Sequence, residues 1–346
     1  MTGILFIEFP PQIPPPSQPP IPTLDPPLSP AGSNPALDFS RESLFSDEEE
    51  RVDAVVLAPL KRRQLTREVQ KRIQAQTDEY WSSKIRSLTM QGNFLSLLVE
   101  EDTNVTWKSY LWNVPRGVVK FAINSSLECL PTADNLKRWG KRASDLCTIC
   151  NGQGKQTLNH VLSSCTMSLT QGRFTWRHDS VLRTLHAFIN GKISDGYTLF
   201  TDLTGLDAGG GRVFPPNVIV TSQRPDMVVI NSELRRVIIF ELTCPFDSNV
   251  GTAHDYKMGK YASLVNDLQG DGYIVDLFCV EVSVRGQISK ANRARIKSFL
   301  LKSTGLKRGA SVDLICKLSK ASLLSSFSIF CARNEAEWQL DRSITL

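Results

Sequence analysis

The chain has 346 residues, of which 41% are apolar and 22% charged, so it is long enough for about two globular domains. Its first 50 residues carry one basic and eight acidic side chains, which leaves the remainder strongly basic. A basic folded region favours a polyanionic partner such as nucleic acid, DNA or RNA, rather than a small-molecule substrate. The alternative is an ordinary surface of lysine and arginine, which net charge alone does not exclude.

The cysteine spacing and the first residues lead us to expect a protein that is not secreted. The eight cysteines are not spaced as a disulfide framework, and MTGILFIEF lacks the basic segment of a signal peptide. No run approaches the roughly 18 apolar residues that a membrane span needs. We therefore expect a protein of the nucleus or cytoplasm with no membrane association.

The first 143 residues divide into a proline-rich tail and a helical region. Residues 1–50 contain 12 of the 19 prolines and end in SDEEE, which predicts a disordered tail. Residues 51–143 show apolar side chains at helical spacing among many arginines and lysines, which predicts a basic helical linker.

A basic cluster closes this linker in the sequence PTADNLKRWGKR. Four cationic side chains surround Trp139, and they form a candidate nucleic-acid contact: Lys137, Arg138, Lys141 and Arg142. The alternative is a solvated helix whose tryptophan lies in the core.

The most specific motif is Cys147-x2-Cys150-x9-His160-x4-Cys165. Three thiolates and one imidazole at these intervals predict a closed tetrahedral Zn²⁺ site, in a CCHC knuckle over 144–168. A closed ligand set leaves no open position for catalysis, so this zinc is expected to be structural.

The next segment predicts a helix, a loop and a short strand. We expect a helix over Arg173–Ile189, a glycine-rich loop over Asn190–Pro216, and a first strand at Val218–Thr221. Asp179 suits the start of the helix as a capping residue.

Two apolar runs then predict a hairpin, and each carries one acid. Met227–Ile230 and Val237–Phe240 flank a polar turn, with Asp226 before the first run and Glu241 after the second. A hairpin brings these two acids to the same edge of the sheet. Two converging carboxylates suit a hard cation, so the pattern predicts a Mg²⁺ site.

A helix over His254–Leu268 follows the hairpin, with Lys257 and Lys260 on one face because they are three residues apart. A strand over Tyr273–Ser283 comes next and should pair parallel to the third strand, through the helical crossover. Two helices, about Ser289–Ser303 and Val312–Arg333, should cover one face of the sheet.

This succession of motifs resembles the C-terminal region of site-specific non-LTR retrotransposon proteins with a restriction-like endonuclease. The shared features are LPTADNLKRWGK, the CCHC knuckle, Arg177-His178-Asp179, the RPD triplet and ELT, over about residues 105–290. The resemblance implies an α/β fold, with a restriction-endonuclease-like αβββαβ core over 170–335. In that family a reverse transcriptase precedes this region, whereas this sequence shows no YxDD polymerase motif.

The resemblance also implies roles for individual residues. In PD-(D/E)xK nucleases two acids hold Mg²⁺ and a lysine orients the attacking water, which assigns catalysis to Asp226, Glu241 and either Lys257 or Lys260. Further residues are expected to support the site: Arg177, His178, Asp179, Arg224 and Tyr261. Arg285 resembles a family loop that contacts phosphate.

One departure leaves two functions open. Thr243 occupies the position where the standard motif has lysine, and the nearest lysines come from the next helix. The leading hypothesis is a Mg²⁺-dependent DNA endonuclease that nicks target DNA. The alternative is a catalytically inactive nucleic-acid-binding module derived from the same kind of element.

Overall fold

The structure is a computed structural model that describes residues 62–100, 105–306 and 308–339. The tail expected over residues 1–50 lies outside these residues. The chain divides into two units between Arg72 and Ile73, within the first helix that the structure describes, and every later described element belongs to the second unit.

The described helices follow most of the expected pattern. In chain order they are α1 Arg62–Ser87, α2 Asn93–Glu100, α3 Arg116–Ser126, α4 Ala133–Arg138, α5 Thr166–Thr170, α6 Arg173–Asn190, α7 Val250–Gly270, α8 Lys290–Thr304 and α9 Arg308–Cys331. A single π-helical turn, His160–Ser164, precedes α5.

Four strands form one mixed sheet in the order β1-β2-β3-β4. They are β1 Thr198–Thr201, β2 Met227–Asn231, β3 Arg236–Thr243 and β4 Ile274–Glu281. β1–β2 and β2–β3 are antiparallel, and β3–β4 are parallel with α7 as the crossover. The fold is therefore mixed α/β, and the predicted hairpin and the predicted parallel pair are both confirmed.

The sheet is buried on both faces, which explains why its central strands are almost continuously apolar. On one face Met227 and Phe240 pack into a cluster with residues of α6, α8 and α9. On the other face Val228 and Ile239 pack against Tyr261 and other residues of α7. Because side chains alternate along a strand, this arrangement fixes which face each polar residue of β2 and β3 occupies.

The expected position of the first strand is wrong. Val218–Thr221 is not a strand, and Val220 is 86% exposed. The free edge of β2 pairs instead with Thr198–Thr201, inside the segment expected to be only a loop. A run of four residues rich in β-branched side chains has only a weak intrinsic preference for the β-strand conformation. Which run becomes a strand depends on which one can reach the unpaired edge of β2.

Helix α9 is the longest apolar element among the described residues. Its stretch Gly309–Cys331 is long and apolar enough to cross a membrane, and it contains an 18-residue window with a mean hydropathy of 1.4, but 67% of that window is buried inside this fold. Burial of that kind is typical of the central helix of a globular domain.

Candidate functional site

The β2–β3 register brings the two predicted acids together. Met227 pairs with Phe240, so Asp226 and Glu241 stand opposite each other, on the face of the sheet that α7 covers. The backbone N–H of Asp226 donates to Glu241 Oε2 at 3.1 Å, and the N–H of Leu242 donates to Asp226 Oδ2 at 2.6 Å. Each carboxylate is therefore held by the backbone beside the other acid.

Glu241 is a buried acid with an acidic neighbour, and only 2% of its side chain is exposed. Burial raises its pKa, repulsion from Asp226 raises it further, and the positive charge of Lys257 opposes both effects. Two ionised carboxylates in a site with so little solvent repel each other, so they need additional positive charge nearby to remain ionised.

The two candidate lysines of α7 have different contacts. Lys257 Nζ forms an ion pair with Glu241 Oε1, whereas Lys260 Nζ donates to the hydroxyl of Tyr261 at 2.8 Å. Burial lowers the pKa of Lys257, but attraction from Glu241 outweighs this effect and the pKa is raised overall. The geometry thus distinguishes two lysines that the sequence left equivalent.

Tyr261 and Arg224 support the acids in different ways. The hydroxyl of the fully buried Tyr261 donates to the carbonyl oxygen of Arg224 at 3.0 Å. Burial, followed by the charge of Glu241, raises the pKa of Tyr261, so the hydroxyl stays protonated. The guanidinium of Arg224 forms an ion pair with Asp202. Arg224 therefore contributes its backbone to the site, while its side chain is engaged with another acid.

His178 links Asp179 to the acid pair. Its Nδ1 lies 3.1 Å from Asp179 Oδ1, and its Nε2 lies 3.3 Å from Asp226 Oδ2. Burial lowers the pKa of His178, but hydrogen bonds with Asp179 and Asp226 outweigh it and raise the pKa well above the usual value. Asp179 lies in the second turn of α6, whose N-cap is Gly172, so the capping alternative is wrong.

Arg177 serves a different purpose from its two neighbours. Its guanidinium is fully buried and donates to the carbonyl oxygens of Leu162 at 2.8 Å and Cys244 at 3.2 Å. Leu162 belongs to the π-turn, and Cys244 directly follows β3. Arg177 therefore connects the cysteine-rich region to the strand that carries Glu241, and its hydrogen bonds are not made to the acid pair.

The four predicted zinc ligands form one cluster. One ligand atom from each of Cys147, Cys150, His160 and Cys165 lies within 4.8 Å of all the others. The turn that carries Cys147 and Cys150 continues through Asn151, which has a φ of 52°, and the N–H of Gly152 donates to the carbonyl oxygen of Cys147 at 2.9 Å. His160 begins the π-turn, and Cys165 directly follows its last residue.

The chemistry of this cluster fits a structural zinc ion. Burial raises the pKa of Cys147 to about 11, so its thiolate requires the charge of a metal ion at neutral pH. Burial lowers the pKa of His160, which favours the neutral imidazole that a metal binds. Gly154 permits the close packing, since a Cβ there would lie 3.0 Å from the His160 ring.

The basic cluster around Trp139 lies at the surface. Lys137 pairs with Asp145 at 3.0 Å and Arg138 with Asp134 at 3.1 Å. Lys141 is exposed and Arg142 half-buried. Trp139 is 43% exposed, so the alternative that placed it in the core is wrong.

The phosphate contact expected at Arg285 is also wrong. Arg285 is buried, and its guanidinium donates to Asp247 at 2.6 Å and to Glu128 at 2.7 Å. The same group lies over the rings of Phe94 and Phe246. Arg285 is only 1% exposed, so its guanidinium is part of the packing next to β4 and cannot reach DNA in this conformation.

A second buried acid was missed by sequence reasoning. Glu281, at the end of β4, accepts from His254 Nδ1 at 3.0 Å and lies 3.6 Å from Arg295 Nη1. Arg295 Nη2 lies 3.0 Å from His254 Nε2. The run FCVEV offered a signal, because it places an acid at a strand end as VIIFE does for Glu241.

One family comparison bears on these sites. Residues 91–171 match the model of a family described as zinc-binding in reverse transcriptase, which is under a quarter of the chain and includes the whole cysteine–histidine cluster. No curated protein matches the chain. The chain thus contains a zinc-binding domain of the reverse-transcriptase-related type, and this domain links it to retrotransposon-type proteins. The match begins at residue 91, so it includes much of the region, residues 51–143, that was expected to be a basic helical linker.

Proposed function

We propose that this protein is a Mg²⁺-dependent DNA endonuclease that nicks target DNA, with a restriction-endonuclease-like core. The observation that carries the proposal is the contact of Lys257 with Glu241, directly opposite Asp226 on one face of the sheet. Two acids and a lysine in contact are the minimal set for metal-assisted phosphodiester hydrolysis.

The order of elements supports the proposed fold. α6, β1, β2, β3, α7 and β4 follow one another as αβββαβ, and the parallel partner of β3 arrives through α7. The acids lie near the carboxyl end of β3, and ligands of open α/β sheets commonly bind at that edge.

The donor set fits a divalent ion. Asp226 and Glu241 offer carboxylate oxygens from neighbouring strands, and hard oxygen ligands are those that Mg²⁺ prefers. When bound, Mg²⁺ would supply an activated water molecule and stabilise the charge of the transferring phosphate. The backbone hydrogen bonds of Asp226 and Leu242 orient the two acids, and His178 lies 3.3 Å from the same Oδ2 of Asp226 that accepts from Leu242.

Lys257 accounts for the departure from the standard motif. Thr243 stands in the usual lysine position, but α7 delivers an ammonium group to Glu241 from the next element. We assign to Lys257 the orientation of the attacking water and the neutralisation of charge on the phosphate. Lys260 is assigned a lesser role, since its Nζ contacts Tyr261.

The zinc-binding domain and the basic surface at Lys137, Arg138, Lys141 and Arg142 complete the proposal. Their charge fits DNA, or RNA, as the polyanionic partner of a retrotransposon-type nuclease acting in the nucleus. Zn²⁺ would be held by Cys147, Cys150, His160 and Cys165 in a structural role.

Separate substitution of Lys257 and Lys260 by methionine tests the proposal. We expect Lys257→Met to lower the rate of Mg²⁺-dependent nicking of supercoiled plasmid by about 10²–10⁴-fold, because it removes the cation beside Glu241. Lys260→Met is the matched control from the same helix and should change the rate by only about threefold or less.

The same nicking assay also tests the alternative function. If the unmutated protein binds DNA in a salt-dependent manner but never nicks it with Mg²⁺ or Mn²⁺, the inactive nucleic-acid-binding module is correct. Equal nicking by both lysine variants would reject the assigned role of Lys257.

A further inference from the structure

The buried Glu281 lies on β4, the strand next to β3, two residues beyond the position that pairs with Glu241. In the β3–β4 register Glu241 pairs with Cys279 and Thr243 pairs with Glu281. Two residues along a strand advance it by about 7 Å and return to the same face. On the covering helix α7, His254 likewise lies one turn before Lys257. The sequence motifs assigned no role to this place.

Glu281 is inaccessible to a ligand, whereas its two partners are not. Its side chain is 1% exposed, while those of His254 and Arg295 are 21% and 33% exposed. Behind it lies a cavity of about 40 Å³, which suits water molecules rather than a nucleotide. The buried carboxylate therefore acts as a counter-ion that holds the His254 ring and the Arg295 guanidinium at the rim of the site.

The hydrogen bonds define how the guanidinium of Arg295 is presented. Arginine only donates, so His254 Nε2 accepts from Arg295 Nη2, and His254 Nδ1 donates to Glu281 Oε1. Asn292 Oδ1 accepts from Arg295 Nη1 at 2.8 Å and braces the other arm of the guanidinium. A planar guanidinium fixed in this way is prepared for bidentate contact with a phosphate.

We propose that Arg295, braced by His254, Glu281 and Asn292, forms a second phosphate-binding site for the phosphodiester next to the one at Asp226 and Glu241. This inference rests on the proposed function, because it assigns the neighbouring phosphate of the same DNA strand. A second phosphate contact fixes the direction in which the strand crosses the metal site, since one contact alone leaves the strand free to rotate.

The test measures DNA binding separately from cleavage. Affinity for a short duplex is measured by fluorescence anisotropy without added Mg²⁺ and without a chelator, so that the zinc site stays intact, over a range of salt concentrations. We expect Arg295→Ala to weaken binding about tenfold and to reduce the slope of log affinity against log salt by about one. Arg295→Gln keeps a donor for His254 but removes the charge, and it should reduce the slope equally.

Lys302→Ala is the matched control on the same helix, because Lys302 pairs with Asp276 near the opposite end of β4. It should leave the slope unchanged. Thermal melts confirm that each variant is folded. An unchanged slope in both Arg295 variants overturns the second site, even if the protein nicks DNA. A reduced slope without any nicking by the unmutated protein retains the phosphate site and rejects the nuclease.

Discussion

Asp226→Asn is expected to lower the rate of Mg²⁺-dependent plasmid nicking by about 10³-fold or more, through loss of metal-ion catalysis worth several kcal/mol. Asparagine keeps the size of the side chain and can still accept from the N–H of Leu242. It removes the charge that, together with Glu241, attracts the divalent ion. The effect should therefore arise from metal binding rather than from unfolding.

Asp202→Asn provides the matched control. Asp202 lies close by, since its N–H donates to the carbonyl oxygen of Asp226 at 2.8 Å, but its carboxylate pairs with Arg224. This variant should retain most of the nicking rate. Initial rates of conversion of supercoiled to relaxed plasmid, over a series of Mg²⁺ concentrations, give the comparison. If Asp226→Asn and Asp202→Asn are equally active, Asp226 does not hold the catalytic ion.

Removal of zinc is expected to have the largest effect on stability. Zinc contributes about 10–16 kcal/mol to the folding of isolated zinc-finger peptides, so the cysteine-rich region should lose its structure without the ion. Val161 and Leu162 of the π-turn pack in one apolar cluster with Val284 and Leu323. If the π-turn unfolds, Val161 and Leu162 leave this cluster, which should expose its apolar side chains to water and lower the melting temperature of the domain.

Cys147→Ser and its control test this prediction. The unmutated chain should contain about one zinc per molecule by elemental analysis, and Cys147→Ser should contain much less and melt earlier. Cys129→Ser is the control, because Cys129 lies outside the four-ligand cluster. Retention of zinc by Cys147→Ser, or an unchanged melting temperature after chelation, would contradict a structural zinc site.

The acid pair and the cysteine–histidine cluster could be predicted because each follows from a local pattern. Asp226 and Glu241 flank two apolar runs joined by a short turn, so the hairpin alone determines that they meet. The zinc site follows from spacing in the same way. Two close cysteines followed by a histidine and a third cysteine are typical of four ligands that coordinate one Zn²⁺ ion, here Cys147, Cys150, His160 and Cys165.

The remaining features depend on contacts between distant segments. Arg285 is basic and follows a strand, which suggested an exposed side chain. It is buried because it pairs with Asp247 and Glu128, and the residues next to it in sequence give no sign of these distant partners. The choice between Lys257 and Lys260 depends on the rotation of α7 over the sheet. Arg177 stands beside His178 in sequence but points to the π-turn, since adjacent helical side chains diverge by about 100°.

The location of a bound divalent ion tests the central claim most directly. Crystals grown with Mn²⁺ in place of Mg²⁺ would be examined by anomalous diffraction at the manganese edge. We predict a peak within coordination distance of a carboxylate oxygen of both Asp226 and Glu241, with Lys257 beside it. A well-ordered acid pair without such a peak, at Mn²⁺ concentrations that support nicking, would contradict the account.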